Sequence, residues 1–446
     1  MAAPASSLRP LAAIAAALLL VAATSASPVF PGVHPLQLQA LRQRRPASSG
    51  RGSRYVVAAA AAAAAAAKPF TAHYFPQELD HFTFTPNASA VFYQKYLVND
   101  TFWRRSSSAA AGEPPAGPIF VYTGNEGDIE WFATNTGFMF DIAPKFGALL
   151  HRFYGESKPF GNDSNSSPEK LGYLTSTQAL ADFAILITSL KHNLSAVSSP
   201  VVVFGGSYGG MLASWFRLKY PHVTIGAVAS SAPILQFDYI TPWSSFYDAV
   251  SQDYKMCKII DGFPAGADIV DKAFAAASLY YNYTGDQTCF QLEDGGDPHG
   301  LSGWGWQACT EMVMPMTISN ESMFPPFTFT YEEKSDDCFQ SYGVRPRPHW
   351  ITTEYGGNKI DLVLKRFGSN VIFSNGMRDP WSRGGVLKNI SSSIIALVTE
   401  KGAHHLDFRS ATKDDPDWVV EQRRQEVEII QGWIDLYNED LAQMSK

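Results

Sequence analysis

One serine stands between two glycine pairs in the run Gly205-Gly206-Ser207-Tyr208-Gly209-Gly210, which contains a G-x-S-x-G pattern. A serine hydroxyl is a poor nucleophile until a base takes its proton and a third group orients that base. The stretch "SPVVVF" leads into the glycines and "MLASWFRLKYP" leads out of them, so a buried strand enters the turn and a helix leaves it. Such a turn lifts the hydroxyl clear of the backbone and puts a helix N-terminus beneath it, where developing negative charge is favoured. Glycines flank the serine because neighbouring backbone crowds a turn this tight. The partners are expected past later strands, acid before histidine. "NVIFSNG" is followed by Asp379, and "SIIALVTEKG" by His404 and His405. Spacing does not choose between the two histidines. An oxyanion hole needs backbone N–H groups, for which Tyr208 and the loop "YTGNEGD", with Gly124, Asn125 and Glu126, are the candidates. The chemistry implied is acyl transfer through Ser207.

The elements that must position these groups are legible as short β-rich runs. "PIFVYTG", "SPVVVFGG", "TIGAVASSAP", "NVIFSNG" and "SIIALVTEKG" predict five buried strands, with helical patterns such as "STQALADFAILITSLKHNL" between several of them. Strands alternating with helices imply an α/β fold with a mostly parallel sheet covered on both sides. A C-terminal amphipathic helix is expected, capped near Asp415, with Val420, Val427, Ile430, Ile434 and Tyr437 on one face. From 239 to 366 the rhythm is lost and all four cysteines occur, which reads as a mainly helical insertion. The sheet domain is then divided into 70–238 and 367–446.

The chain has 446 residues, 46% hydrophobic and 17% charged, with a net charge of −7, so it has material for a sizeable core. Its basic residues are scattered, which excludes a nucleic-acid surface. Residues 1–26 have the layout of a cleavable secretory signal, with Arg9 before an apolar run and small residues at Thr24, Ser25 and Ala26. That run is too short for a stable membrane anchor. Residues 27–69, with a basic patch and the alanine tract Ala58 to Ala67, read as a propeptide or disordered leader. Eight Asn-x-Ser/Thr sequons, at Asn87, Asn99, Asn162, Asn165, Asn193, Asn282, Asn320 and Asn389, suit a glycosylated chain of the secretory route. Cys257, Cys289, Cys309 and Cys338 allow two disulfides in that compartment and match no zinc spacing. No metal or cofactor is expected, and a homodimer is allowed but not indicated.

With these residues assembled, the chain resembles the family of post-proline serine peptidases, Pro-X carboxypeptidase and dipeptidyl peptidase II among them, and looks like a plant-type member. The likeness rests on "YTGNEGDIEWF", "HRFYGESKPFG", "GGSYGGMLASWFRLKYPH", "GWGWQACTEMVMP", "GVRPRPHWITTEYGG", "SNGMRDPWSRGG" and "GAHHLDFR". It implies an α/β-hydrolase domain with a helical cap, peptide substrates with proline near the scissile bond, and a lysosomal, vacuolar or extracellular location. It also implies Ser207 as nucleophile, Asp379 as acid and His404 as the histidine, with His405 and Arg409 in support. Met211, Met314 and Trp381 fall where relatives shape a proline pocket, and Cys309 and Cys338 where they form a disulfide.

Two departures from the family pattern stand out. Relatives have a short apolar strand between the segment ending "FGALL", which reads as a helix end, and "HRFYG"; here the two abut, and loss of a strand beside the nucleophile strand is expected. Relatives also carry several dozen more residues between "SQDYK" and "MCKIIDGF", so this chain reads as shortened, with Cys257 and Cys289 lacking the family's partners. Release of a C-terminal residue after proline is the leading expectation, with Arg378 or Arg383 for the terminal carboxylate. Removal of N-terminal dipeptides, with Glu126 or Asp128 for the amine, and a glycoprotein unable to assemble the site are the alternatives.

Overall fold

The computed structural model of the protein describes residues 70–85, 90–101, 103–104, 116–142, 146–149, 151–254, 256–282, 297 and 299–444. The signal and leader segments, Asn87 and Cys289 lie outside these residues. Eight strands form one sheet: β1 (Thr71–Glu78), β2 (Val91–Asn99), β3 (Ile119–Tyr122), β4 (Phe146–Leu149), β5 (Val201–Gly206), β6 (Gly226–Ser230), β7 (Val371–Gly376) and β8 (Ile394–Thr399). Their spatial order is β1-β2-β4-β3-β5-β6-β7-β8. Strands β4-β3-β5-β6-β7-β8 run parallel, and β1 and β2 form an antiparallel hairpin at one edge. With a strand–turn–helix after β5, this is the α/β-hydrolase fold.

The five apolar runs read from the sequence are β3 and β5 to β8. Strands β3, β5, β6 and β7 are buried along their whole length, which is why they show continuous hydrophobic runs rather than alternation. The hairpin escaped sequence reading for a physical reason. β1 carries Pro76, which only an edge strand tolerates, and β2 buries the adjacent Gln94 and Lys95, which breaks the apolar/polar alternation of a strand. Gln77 Nε2 donates to Gln94 Oε1 at 2.8 Å, and Lys95 Nζ pairs with Glu130 at 2.8 Å.

The expected loss of a strand is corrected here. Phe146–Leu149, read as the end of a helix, forms β4 between β2 and β3. Nor is that position beside the nucleophile strand: β5 lies between β3 and β6. A short strand can be recruited this way because parallel pairing uses backbone groups that every residue possesses.

Among the described residues there are two compact units. The larger lies within 70–241, 299–314 and 344–444 and contains the whole sheet. Its core joins the strands to helix α1 (Ser176–Asn193), capped by Thr175, and helix α2 (Tyr208–Lys219), through Phe183, Leu212, Phe216, Val203 and Phe373. Helix α3 (Trp304–Thr310) belongs to it too, as does the C-terminal helix α4 (Asp417–Met444). The smaller unit comprises 242–298 and 315–343 and is mainly helical. Trp243, Phe329 and Tyr331 pack edge to face within it, and its last helix, Tyr331–Tyr342, is capped by Thr330 and ended by left-handed Gly343.

Helix α4 buries part of the expected face, Ile430 and Ile434, with Tyr437 half-buried, but not its N-terminal half. Val420 and Val427 are exposed, whereas Val419, Gln422, Arg423, Glu426, Ile430, Trp433 and Ile434 are buried. Four apolar positions of the true face are interleaved with three polar ones, which displaces the apparent apolar stripe.

Candidate active site

Ser207 stands at the end of β5 with φ 58° and ψ −126°, outside the regions L-residues prefer. A conformation of this kind costs on the order of 1–3 kcal/mol, and the surroundings impose it. Ser207 N donates to Ser230 O at 2.9 Å, tying the turn to β6. A Cβ on Gly205 would lie 1.9 Å from Gly209 O, and one on Gly209 would lie 2.3 Å from Gly124 O. Both glycines are therefore required by close backbone approach. Thr123 Oγ1 donates to Gly209 O at 2.8 Å and Asn125 Nδ2 to Gly206 O at 2.6 Å, so the loop after β3 is fastened to the turn.

Tyr208, the first residue of α2, is fully buried. His151 Nδ1 lies 2.8 Å from Arg152 O, to which it donates, so its Nε2 accepts from the Tyr208 hydroxyl at 3.1 Å. Burial lowers the His151 pKa to about 4, keeping the ring neutral. Gln307 Nε2 donates to the same hydroxyl at 2.8 Å and to Glu311 Oε1 at 3.1 Å, and Glu311 accepts from Ser176 N at 2.7 Å. This polar network is not legible in the sequence, where His151, Gln307 and Glu311 carry no signal beyond lying in "HRFYGESKPFG" and "GWGWQACTEM". Neither Tyr208 N–H nor Asn125 N–H donates to an acceptor among the described residues.

Asp379 and His404 come together at the ends of β7 and β8. The two strand ends approach closely: a Cβ on Gly376 would lie 2.2 Å from Gly402 C, and Arg378 N donates to Gly402 O at 3.0 Å. Asp379 is buried and caps the turn Pro380–Gly384, accepting from Trp381 N at 3.1 Å through Oδ1. Its other oxygen accepts from His404 Nδ1 at 2.7 Å. That bond fixes the tautomer and leaves Nε2 as the basic nitrogen. His404 Nε2 is buried and has no partner, and Ser207 Oγ makes no hydrogen bond among the described residues. Of the two histidines, His404 holds the acid. His405 takes a left-handed backbone (φ 35°), its N donates to Ser231 Oγ at 2.8 Å, and its ring packs on that of His404 with centroids 4.5 Å apart.

The remaining candidate residues are placed as follows. Arg409 Nη1 donates to Asn135 Oδ1 at 3.1 Å. Met211 is buried in the core of the sheet unit, Met314 packs against that core, and Trp381 is buried directly after the acid. Glu126 is buried, Asp128 accepts from Trp131 N at 2.9 Å as a helix cap, and Arg378 is exposed. Cys309 and Cys338 are both disulfide-bonded. Of the sequons, Asn162, Asn165, Asn193, Asn320 and Asn389 are exposed, and Asn99 and Asn282 are half-buried.

The chain is similar to known proteins. The model of the family described as serine carboxypeptidase S28 matches 77–289 and 279–426. The human lysosomal Pro-X carboxypeptidase is 37% identical over 484 residues, covering 88% of this chain and 94% of its own. The Caenorhabditis elegans prolyl carboxy peptidase like protein 5 is 31% identical, covering 81% and 89% respectively. Among solved structures, a peroxisomal alpha-beta-hydrolase of Saccharomyces cerevisiae is 13% identical, covers 80% of this chain and 88% of its own, and gives a TM-score of 0.40.

Proposed function

The chain belongs to the serine carboxypeptidase S28 family, and on that premise we propose that it releases the C-terminal residue of peptides in which proline precedes the scissile bond. The observation that carries the reading is the His404–Asp379 bond of 2.7 Å with Nε2 left unpartnered, in a chain whose Ser207 sits on a strained strand–helix turn.

Ser207 Oγ attacks the carbonyl carbon while His404 Nε2 takes its proton, and the imidazolium is stabilised by Asp379. The tetrahedral oxyanion is held by the N–H groups of Tyr208 and Asn125, which have no other acceptor among the described residues. Collapse of the intermediate breaks the C–N bond, and His404 returns the proton to the leaving amine. Water, deprotonated by the same imidazole, then hydrolyses the acyl-enzyme. Met211, Met314 and Trp381 supply the apolar slot for the pyrrolidine ring. The lysosomal name of the human relative, the apolar N-terminal run and the sequons support a lysosomal or vacuolar destination.

Dipeptide release from the N-terminus would need an anionic group for the amine. Asp128 is engaged as a helix cap, which leaves that role to Glu126. The test is labelling of the purified chain with a fluorophosphonate serine probe beside Ser207→Ala, followed by cleavage of paired proline peptides, one blocked at each end. Labelling lost in the variant, with cleavage only of the peptide bearing a free C-terminus, is expected. Folded parent protein that takes no label would refute the proposal, and cleavage confined to the free N-terminus would replace it with the dipeptidyl activity.

A further inference from the structure

Behind the turn that carries His404 and His405 lie two buried carboxyl groups for which the reaction as described has no use. Asp407 sits in the short helical turn Leu406–Phe408, and Glu426 is on α4 with no exposed surface. Asp407 is satisfied on both oxygens, by Ser230 Oγ at 2.7 Å, from the end of β6, and Ser374 Oγ at 2.9 Å, from within β7. Glu426 faces the Asp407 carboxyl, with Ser374 and Gln422 as its other polar neighbours, and neither of its oxygens has a donor in full hydrogen-bond geometry among the described residues. The cation at hand is turned away: Arg423 Nε donates to the backbone oxygen of Asp407 at 2.8 Å, Nη2 to Arg409 O at 2.8 Å, and Nη1 pairs with Asp415.

The other polar groups on the elements packed here make contacts of their own among the described residues. Arg409 engages Asn135, Asp141 accepts from Ala411 N at 3.0 Å, and Gln422 donates to Ser374 Oγ. The His405 ring lies on His404. Two carboxylates cannot both hold charge in contact and out of water; a proton between them supplies the missing donor.

We propose that Asp407 and Glu426 share one proton and act as positioning residues, holding the His404 turn against β6, β7 and α4 for as long as that proton is bound. The inference rests on the proposed role of His404. When the proton leaves, like charges repel, and the element free to yield is a turn of a few residues rather than a 28-residue helix or the central strands. That turn begins two residues after His404. The raised pKa of both groups, from burial first and then, for Glu426, from the Asp407 charge, agrees with the geometry. The sign follows from linkage. The native chain holds this proton more tightly than the unfolded chain. The stabilisation is therefore complete below the ordinary carboxylate range, near 4.3 for Glu, and is lost as pH rises toward the native value.

The test uses the full chain with Glu426→Gln, whose amide donates to Asp407 without a titrating proton. Melting temperature and fluorophosphonate labelling rate are measured from pH 4.5 to 8, as the variant-to-parent ratio at each pH. Ratios near one at pH 4.5 that rise about tenfold for labelling by pH 8, with a parallel gain in melting temperature, are expected. Flat ratios in both measurements overturn the shared proton. A pH-dependent melting difference with a flat labelling ratio overturns the positioning role. Asp407→Asn, which donates from the other side, is expected to show the same trend, and failure of both variants to fold at any pH would also overturn it. If the parent takes no label, the proposed function fails, and the melting curves still judge the shared proton.

Discussion

Two turns meet at the candidate site, and they are held by opposite means. The turn at Ser207 is shaped by missing side chains: Gly205 and Gly209 allow backbone to approach within distances a Cβ would forbid. The turn at His404 is shaped by side chains, since Asp379, Ser231, Arg423 and the Asp407–Glu426 pair bind it from four directions. Steric holding is insensitive to pH and intolerant of any added atom. Polar holding tolerates changes of shape but responds to protonation and to the loss of a single partner.

Substitutions at the two turns should separate these modes. The largest effect is expected for Ser207→Ala, with no probe labelling and no turnover, and for Asp379→Asn, with kcat lowered about 10⁴-fold through the wrong imidazole tautomer and an unchanged melting temperature. Retained turnover in Ser207→Ala would break the comparison at its root. Next comes Gly209→Ala, whose Cβ would meet Gly124 O at 2.3 Å. It should lose labelling more than a hundredfold and about 3 kcal/mol of stability by denaturant unfolding, equally at acidic and neutral pH. A pH-dependent loss would show that the steric turn is not steric. Arg423→Met strips donors from the backbone oxygens of Leu406, Asp407 and Arg409 and should destabilise by about 2–3 kcal/mol, with kcat falling more than KM rises. The smallest effect belongs to Arg424→Ala, one residue along. Its ion pairs with Glu421 and Glu428 are exposed on the helix surface, and no measurable change in melting temperature is expected.

The same contrast explains what could be read in the sequence. Steric holding leaves a written trace, because glycine is the residue that fits; G-x-S-x-G and the glycine ending "NVIFSNG" placed the serine and the strand ends before any coordinates. Four buried parallel strands were legible for a related reason, since burial on both faces demands unbroken apolar runs, whereas β8, expected to be buried too, is largely half-buried. Polar holding leaves little trace. Glu426 and Arg423 fall outside the apolar face expected of the C-terminal helix, and Gln307 and Glu311 are a polar pair one turn apart with no further mark. Their partners are distant in sequence, so no local pattern connects them. The hairpin was missed because its buried Gln94 and Lys95 are matched by Gln77 and Glu130, again across the fold. Choosing His404 over His405 also required a long-range fact, the bond to Asp379.

Strand β4 has a mechanical consequence. By backbone hydrogen bonding, β1 and β2 join the rest of the sheet through these four residues, which run antiparallel to β2 and parallel to β3. Beyond that seam the hairpin is moored by Arg152, which reaches Leu79 O at 2.7 Å and the Asp182 carboxylate, and by Gln77, which donates to Asp182 O at 2.8 Å. A sheet stitched so narrowly has a natural tear line. Pulled or warmed, the chain should part there first, shedding the hairpin while the strands that lead to Ser207, Asp379 and His404 stay zipped together, so that the candidate site outlasts the border of its own sheet.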